Sequence, residues 1–361
     1  MRSAMGKSIG TNEIEWLALG ASFLASGGGG APYHPVLMAQ EALSRRGSVQ
    51  LVGPDELPAN AFLLPVIVGG SPSAVVESLP SLEQIHRLRE VVQEVLGAPC
   101  EAVLPIQIGS VNTVFPMVAA AELGLPCVDA DLMQHCFPSL EMTLPALSGL
   151  PMAPIVMVDA MGAFSIIQAG TDQAGGRLLR ATLAEMGMVA LISAYRVTAE
   201  ICTRYGDVGS VSRCIALGKL VDTLRGGESA AFDECLRFCG GTVVFEGVVI
   251  ERHHDIGSGV PRGVVTAVSE SAGRSILRLD HGSGNVAATV DGTIVAMVPD
   301  IITVVDIDSG DVVQSSDMLP GQRIRVLSIP SDERWHAPGA SRIIGPAEFG
   351  LPDIVPAGED R

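Results

Sequence analysis

What the sequence lacks excludes several classes of protein. It has no uninterrupted apolar run of the ~18 residues that a membrane-spanning helix needs, so we expect no membrane association through a span. Basic residues are scarce, with 23 Lys and Arg against 40 Asp and Glu, and the formal net charge of -17 predicts no nucleic-acid partner. Aromatic residues make up 4% and apolar residues 47%, a composition typical of a compact α/β protein and not of a disordered chain.

Secretion is not indicated either. The residues before Asn12 include basic side chains but no apolar segment like that of a signal peptide, so the sequence predicts a cytoplasmic protein. The seven cysteines are an odd number, and most of them lie in apolar surroundings. In a reducing compartment, we expect them to be small buried hydrophobic residues and not a disulfide framework.

The pattern of apolar residues divides the chain of 361 residues into two parts. Alternating strand and helix patterns predict an α/β domain over residues 1–240, with a mainly parallel sheet covered by helices. Short β-branched runs separated by Gly and Asp turns then predict a smaller all-β domain, a sandwich or a barrel, over residues 241–342. The tail, residues 343–361, is a candidate for returning to the α/β domain.

Polar groups that suit chemistry are concentrated between Asn112 and Met142. A Gly-Leu-Pro turn leads into a predicted strand that ends on Asp129 and Asp131. Side chains at the carboxyl end of a strand in an α/β protein face the crevice where ligands bind, and alternate residues of a strand point to the same side. The pair could therefore orient or deprotonate water, or hold a metal ion. The alternative is that these carboxylates cap the following loop and helix.

Three further polar residues are candidates. His135 could be a base or a ligand, although a single His is more often structural. Asn112 either presents its amide to a polar substrate or caps its helix. Asp159 ends another predicted strand and is a comparable candidate for binding substrate.

A run of four glycines, Gly27, Gly28, Gly29 and Gly30, precedes a predicted helix. Its backbone N–H groups could bind an anion or a ring carbonyl. The run follows a helix and not a strand, so the context of a dinucleotide-binding fingerprint is absent. The alternative is a helix–helix connection that requires positive φ angles. Neither this run nor the polar candidates identifies a cofactor or a metal, and both stay open.

Six short motifs, spread in order over nearly the whole chain, resemble those of one family. They are Ser26–Pro32, Gly109–Asn112, Gly124–Asp131, Phe137–Met142, Pro299–Ile301 and Gly345–Gly350. The family was formerly called domain of unknown function 917. It is now described as the S-methyl thiohydantoin desulfurase family and is associated with hydantoinase and oxoprolinase proteins. The resemblance implies an N-terminal α/β domain and a C-terminal β domain. It also implies hydrolysis of a cyclic S-methyl thiohydantoin to a hydantoin, with release of methanethiol.

The chain departs from that pattern at several positions. Gln107 and Ser139 stand where members commonly have Glu, and His135 stands where they have Arg. Ser110 and Ala163 replace a usual Gly and Asn. Two fewer carboxylates change the acid–base or metal chemistry that is available.

The leading hypothesis is a hydrolase acting on a small five-membered cyclic imide or thiohydantoin. Gly27–Gly30 and Asn112 would bind the ring, and Asp129 or Asp131 would position the attacking water. The alternatives are a ring-opening amidohydrolase subunit of the hydantoinase or oxoprolinase type, and a non-catalytic ligand-binding or assembly subunit. We expect a small-molecule substrate, and either a homo-oligomer or a hydantoinase-type partner subunit.

Overall fold

A computed structural model of the chain describes residues 7–70, 72–227, 229–255, 262–270, 273–349 and 351. These residues form two compact units. The first unit holds the described residues of Met1–Ala21, Gly30–Gln134 and Ser139–Ala216, and the second holds those of Ser22–Gly29, His135–Pro138 and Leu217–Arg361. The prediction for the tail includes residues 350 and 352–361, which lie outside the described residues.

The first unit is an α/β structure built on a mixed sheet. Its strands are β1 (Lys7–Ile9), β2 (Val49–Val52), β3 (Phe62–Gly70), β4 (Cys100–Pro105), β5 (Cys127–Val128), β6 (Ala130–Asp131), β7 (Ile155–Val158), β8 (Phe164–Ile167), β9 (Val189–Ser193) and β10 (Asp207–Val208). Eight of them form one sheet in the order β1-β2-β5-β4-β3-β9-β7-β8. The β2, β5, β4 and β3 strands are parallel, which confirms the predicted α/β class. The remaining neighbours pair antiparallel.

Helices alternate with these strands along the chain. They are α1 (Thr11–Leu24), α2 (Tyr33–Arg46), α3 (Pro72–Glu77), α4 (Leu82–Leu96), α5 (Ser110–Leu123), α6 (Leu144–Leu147), α7 (Asp172–Glu185), α8 (Ala199–Tyr205) and α9 (Ser210–Arg225), of which α1 and α9 end in the second unit. The α5 helix is buried from Ser110 to Glu122, because its residues are apolar or small nearly all round. It packs on α2, β3 and β4, and it forms the centre of the first unit's core.

The second unit contains a single antiparallel sheet. Its elements are α10 (Ser229–Cys239), β11 (Thr242–Asp255), β12 (Arg262–Val268), β13 (Ile276–His281), β14 (Asn285–Val290), β15 (Thr293–Met297), β16 (Ile301–Asp306), β17 (Arg323–Ile329) and α11 (Ser341–Ile344). The seven strands are ordered β15-β14-β13-β12-β11-β17-β16 and form a half-barrel. Alternating residues such as Val265, Ala267, Leu277 and Leu279 are buried on its inner face. The predicted all-β C-terminal part is confirmed.

No helix in the described part of the chain is long and apolar enough to cross a membrane.

Candidate functional site

The predicted strand with two carboxylates is interrupted. The β5 strand ends at Val128, and β6 belongs to a separate two-stranded sheet with β10. Asp129 and Asp131 therefore do not lie on one continuous strand, and that part of the prediction is wrong. Both carboxylates nevertheless reach the first turn of α9, Asp129 through Ser212 and Asp131 beside Ser210.

The Asp129 carboxylate caps the start of α9. One oxygen accepts a hydrogen bond from the Ser212 N–H at 2.8 Å, and the other accepts one from the Ser212 hydroxyl at 2.6 Å. The Asp129 carbonyl accepts a third bond from the Gly209 N–H at 2.7 Å. A carboxylate at a helix N-terminus satisfies otherwise unpaired N–H groups and interacts favourably with the helix dipole. These contacts agree with the alternative prediction that the carboxylate is a cap. The helix that it caps is α9, far along the chain, and not the helix that follows it.

We expect Asp129→Ala to lower the free energy of unfolding by about 1–2 kcal/mol, because the substitution removes this cap. We expect Asp129→Asn to cost less than about 1 kcal/mol, since an amide oxygen still accepts the Ser212 N–H, while the charge is lost and the Ser212 hydroxyl must accept from the amide instead of donating to it. Urea titrations of the two variants measure both values. Unchanged stability together with lost turnover would instead place Asp129 among the reacting groups.

Asp131 lies in a different environment, with its side chain completely buried. One carboxylate oxygen, Oδ2, accepts hydrogen bonds from the N–H groups of Met133 at 2.7 Å and Gln134 at 2.6 Å. The Ser210 hydroxyl lies near the carboxyl and lowers its pKa, but Oδ1 accepts no hydrogen bond of normal geometry from the described residues. Burial, followed by the charge of Asp207, raises the pKa of Asp131 to about 7.

The loop after Asp131 holds a residue in an unusual conformation. Gln134 has a φ of 74°, in the left-handed region that few residues other than Gly adopt. The two hydrogen bonds to Asp131 Oδ2 stabilise this turn. Such backbone conformations concentrate at functional sites.

Sequence reasoning missed Asp207 and Arg213. Asp207 lies directly opposite Asp131 in the β6–β10 ladder. The Arg213 guanidinium binds both Asp207 carboxylate oxygens, at 3.1 and 2.9 Å, in a fork geometry. No sequence motif links these positions, because β10 and α9 reach Asp131 only in the folded chain. The result is a buried carboxyl beside an ion pair.

Two buried thiols lie close to the Asp131 carboxyl, and burial favours the protonated form of both. Burial, with a contribution from the Asp131 charge, raises the pKa of the Cys202 thiol to about 12. Burial also raises the pKa of the Cys214 thiol. Because the thiolate is the reactive form, both groups are inert near neutral pH.

Asn112, near the start of α5, links β3 to Gln107 in the loop after β4. The Asn112 amide donates to Gln107 Oε1 at 2.9 Å, while its oxygen accepts the Val68 N–H at 2.9 Å. Gln107 in turn donates to the Met133 sulfur at 3.5 Å. Asn112 is the third residue of α5 and not its cap, since Gly109 occupies the N-cap position. Both the nitrogen and the oxygen of the Asn112 side-chain amide are therefore hydrogen-bonded within the protein.

The glycine run connects α1 to α2, as the helix–helix alternative predicts. Ser26, Gly27, Gly29 and Gly30 all have positive φ angles, between 53° and 80°. In the second unit, Gly27 O accepts hydrogen bonds from the Ser315 N–H and hydroxyl, both at 2.9 Å. A Cβ on Gly28 would lie 2.4 Å from the Ser283 carbonyl oxygen, so this close approach requires a glycine. Ligand binding by these glycines stays a prediction.

His135, in the second unit, is buried and neutral. Its Nε2 lies 2.9 Å from the Pro299 carbonyl oxygen, which can only accept, so Nε2 carries the proton. Burial lowers the pKa of His135 to about 4. Its Nδ1 has no hydrogen-bonding partner among the described residues, and its ring packs 4.0 Å from that of Phe137. A catalytic role for His135 stays a prediction.

Asp159 stabilises a hairpin. Its carboxylate accepts hydrogen bonds from the N–H groups of Met161 at 2.9 Å and Ala163 at 2.8 Å, in the turn between β7 and β8. These contacts account for the residue without a ligand. Thus the side chains of Asp129 and Asp131 both lie beside the first turn of α9, whereas the hydrogen bonds of Asp159 given above are those of its own turn.

Within the described residues, no group of three or more His, Cys, Asp or Glu side chains could hold a metal ion.

Comparison with known proteins agrees with this architecture. A crystal structure of a protein from Chromobacterium violaceum, a structural genomics target, matches with a TM-score of 0.77 at 18% identity, over 97% of this chain and 98% of that chain. At this identity the likeness shows the fold alone. A comparison with curated proteins found no match.

Family models identify both halves of the chain. The S-Me-THD-like N-terminal domain matches residues 12–169, and the S-Me-THD-like C-terminal domain matches residues 170–357. The matches cover nearly the whole chain and confirm the resemblance that the six motifs indicate. The chain therefore belongs to the S-methyl thiohydantoin desulfurase-like family.

Proposed function

We propose that the protein is a hydrolase that converts a cyclic S-methyl thiohydantoin to a hydantoin and methanethiol. In this reaction a water oxygen bonds to the ring carbon that carries sulfur. The carbon–sulfur bond then breaks, and the thiolate leaves with the electron pair and takes up a proton. The water must lose its protons as it attacks, so the reaction needs a group that exchanges protons near neutral pH.

The observation that carries the proposal is the state of Asp131. Its carboxyl has a pKa of about 7 and one oxygen, Oδ1, with no hydrogen bond of normal geometry from the described residues. An ordinary Asp is fully ionised at this pH and is a weak base, whereas a pKa near 7 suits proton transfer in both directions. Perturbed carboxyl groups of this kind concentrate at active sites. Asp131 would accept a proton from the attacking water and return it to the leaving thiolate.

Asp207 and Arg213 would act as positioning residues in this scheme. The Asp207 charge helps to keep the pKa of Asp131 high. The Arg213 fork fixes the Asp207 carboxylate in place. The Asp207 charge thus adds to the effect of burial on the proton affinity of Asp131, without contacting the reacting atoms.

The test is turnover of S-methyl hydantoin derivatives by the purified protein, followed with a reagent for free thiols. Several substituents at the ring carbon are needed, because the sequence does not specify the side chain of the substrate. Methanethiol release that rises with pH through about 7 supports the proposal. Formation of a ring-opened carbamoyl acid would support the hydantoinase-type reaction instead.

Ligand binding without turnover is a second candidate function. The observation that favours it is Gln107, a buried neutral amide where the family commonly has Glu, with both ends of the amide engaged by Asn112 and Met133. We expect the double substitution Gln107→Glu, Ser139→Glu to raise methanethiol release if these positions limit catalysis. Thermal stabilisation by a thiohydantoin, with no thiol released by either protein, would favour the binding function.

A further inference from the structure

The β8 strand is an open edge of the eight-stranded sheet in the first unit. It pairs with β7 on one side, and no strand among the described residues pairs with its other side. Monomeric proteins protect such edges with charged residues, Pro, bulges or very short strands, because unpaired N–H and C=O groups are a template for another strand. The opposite edge of the same sheet, β1, carries Lys7. The β8 strand has no charged residue, no Pro and an unbroken register with β7.

The hairpin between β7 and β8 shows which backbone groups face the open side. The Asp159 N–H donates to the Ala163 carbonyl oxygen at 2.9 Å, so these two residues are a hydrogen-bonded pair. Hydrogen-bonded and non-hydrogen-bonded pairs alternate along an antiparallel ladder. Ser165, two residues further along, therefore bonds with β7. The N–H and C=O groups of Phe164 and Ile166 consequently point to the open side.

The side chains of β8 form an apolar strip beside this edge. Phe164 and Ile166 lie two positions apart, so they share a face, and each is 44% exposed. Met161, in the turn that leads into β8, is 91% exposed. The Arg87 guanidinium lies 4.7 Å from the centre of the Phe164 ring and pairs with Glu90, so it brings no uncompensated charge to the strip. The edge thus combines outward backbone groups with exposed apolar side chains.

This edge is complementary to itself. When two copies place their β8 strands antiparallel about a two-fold axis at Ser165, Phe164 of each copy lies opposite Ile166 of the other. Both pairs are then of the hydrogen-bonded type, and the outward groups form four N–H···O=C bonds between the copies. Each pair also brings an aromatic ring against a β-branched side chain, a combination that stabilises neighbouring strands.

The exposed apolar area is of the size that a homodimer needs. Met161, Phe164 and Ile166 expose on the order of 350 Å² of mainly apolar surface per copy, according to their exposed fractions. A stable interface buries about 800 Å² per partner, and about 65% of that area is apolar in homodimers. The three side chains therefore supply roughly two-thirds of the apolar area required, and the strand backbone supplies polar groups.

We propose that β8 is a dimerisation edge, through which the sheet of the first unit continues into the sheet of a second copy of this chain. The strand that fits the edge is short, apolar and uncharged, and it has the same alternation of outward backbone groups. The β8 strand of a second copy has these properties and satisfies both edges at once, as a two-fold interface requires.

Sedimentation velocity of the full-length protein tests the proposal, and we expect the wild type to be a dimer. Ile166→Lys places a charge on an exposed side chain of the edge and is expected to raise the dimer dissociation constant at least about tenfold. Ile276→Lys is the matched control. It makes the same change at a side chain that is 52% exposed, on a strand with neighbours on both sides, and should leave the dimer intact. Thermal unfolding verifies that both variants are folded.

A disulfide cross-link locates the two-fold axis. Ser165 would lie opposite Ser165 of the second copy in a non-hydrogen-bonded pair, whose Cα atoms are about 4.5 Å apart, within the range of a disulfide. Ser165→Cys is therefore expected to form an intermolecular disulfide under mild oxidation. Gln168→Cys, an exposed position in the same segment, should form none, because its two copies would lie roughly 20 Å apart along the strands. The wild type, treated in parallel, accounts for its seven native cysteines.

Two results contradict the proposal. A wild-type protein that remains monomeric at the highest concentration it tolerates would overturn it, and the edge would then be open to a different polypeptide. A dimer that persists in Ile166→Lys, together with no disulfide in Ser165→Cys, would place the interface on another surface. Failure of methanethiol release affects neither result, because both measurements are made without substrate.

Discussion

Asp131→Asn is expected to lower kcat/KM for methanethiol release by about 10²- to 10⁴-fold, the usual contribution of a group that transfers a proton in the transition state. The amide has nearly the same shape, and its oxygen can still accept the N–H groups of Met133 and Gln134. The change therefore removes the titrating proton with little effect on the loop. In the wild-type protein, activity that needs the ionised base should rise as the pH passes about 7. In the variant this rise should disappear from the remaining activity.

The same substitution is expected to stabilise the protein at alkaline pH. The Asp131 carboxyl has a pKa of about 7 in the folded protein, well above that of an exposed Asp. Between the two values the folded state binds more protons than the unfolded state, so wild-type stability falls as the pH rises through this window. An amide has no proton to lose. Urea unfolding at pH 5 and pH 8 should show Asp131→Asn gaining ~2–4 kcal/mol relative to the wild type at the higher pH.

A matched control separates this effect from a general loss of charge. Glu94→Gln neutralises an exposed carboxylate on α4 and should change neither kcat/KM nor the pH dependence of stability. If Asp131→Asn keeps wild-type turnover while its stability changes as expected, the raised pKa is a property of the core and Asp131 does not transfer the proton. If turnover and stability both fall, the carboxylate is needed for the loop itself.

Gly27→Ala is expected to destabilise the protein by about 3 kcal/mol, from a left-handed backbone and from overpacking together. Gly27 has a φ of 72°, and an added Cβ would lie 2.4 Å from Ser315 Oγ and 2.7 Å from Asn285 Nδ2. Neither neighbour moves freely. The Ser315 hydroxyl shares its one proton between Gly27 O and Asn285 Oδ1, and Asn285 donates to Ile302 O at 2.8 Å. Thermal or urea unfolding measures the loss.

Gly124→Ala is the control for the backbone contribution alone. Gly124 ends α5 with a φ of 64°, and a Cβ there would meet no atom within 4 Å. We expect a cost of about 1 kcal/mol, which is the penalty of the left-handed conformation without a clash. Equal losses at the two positions would mean that Ser315 and Asn285 yield to the methyl group. Close packing against Ser315 and Asn285 would then not explain why residue 27 is a glycine.

Local signals in the sequence determined much of the secondary structure. Ser81 and Gln84 predict a capped helix start, and α4 begins there with both bonds of a capping box, at 3.2 and 2.8 Å. The run of short β-branched segments after Gly241 likewise becomes the antiparallel sheet. These features depend on residues a few positions apart, so periodicity and capping chemistry are enough to predict them.

The order and direction of strands needed the folded chain. Residues 189–193 form β9, which lies antiparallel between β3 and β7 and makes the sheet mixed. A short apolar run has the same appearance in a parallel and in an antiparallel strand when both of its faces are buried. The sequence by itself therefore predicted the α/β class, while the direction of this strand came from its neighbours.

In the candidate site, too, some features follow from the sequence and others only from the tertiary structure. The sequence by itself determined that Asp129 and Asp131 are the carboxylates of interest, because they follow a buried strand. Only the tertiary structure decided that Asp129 caps α9 and that Asp131 lies opposite Asp207. The physical reason is that the proton affinity of a carboxyl depends on burial and on charges within a few ångströms. Those charges come from residues more than seventy positions away along the chain.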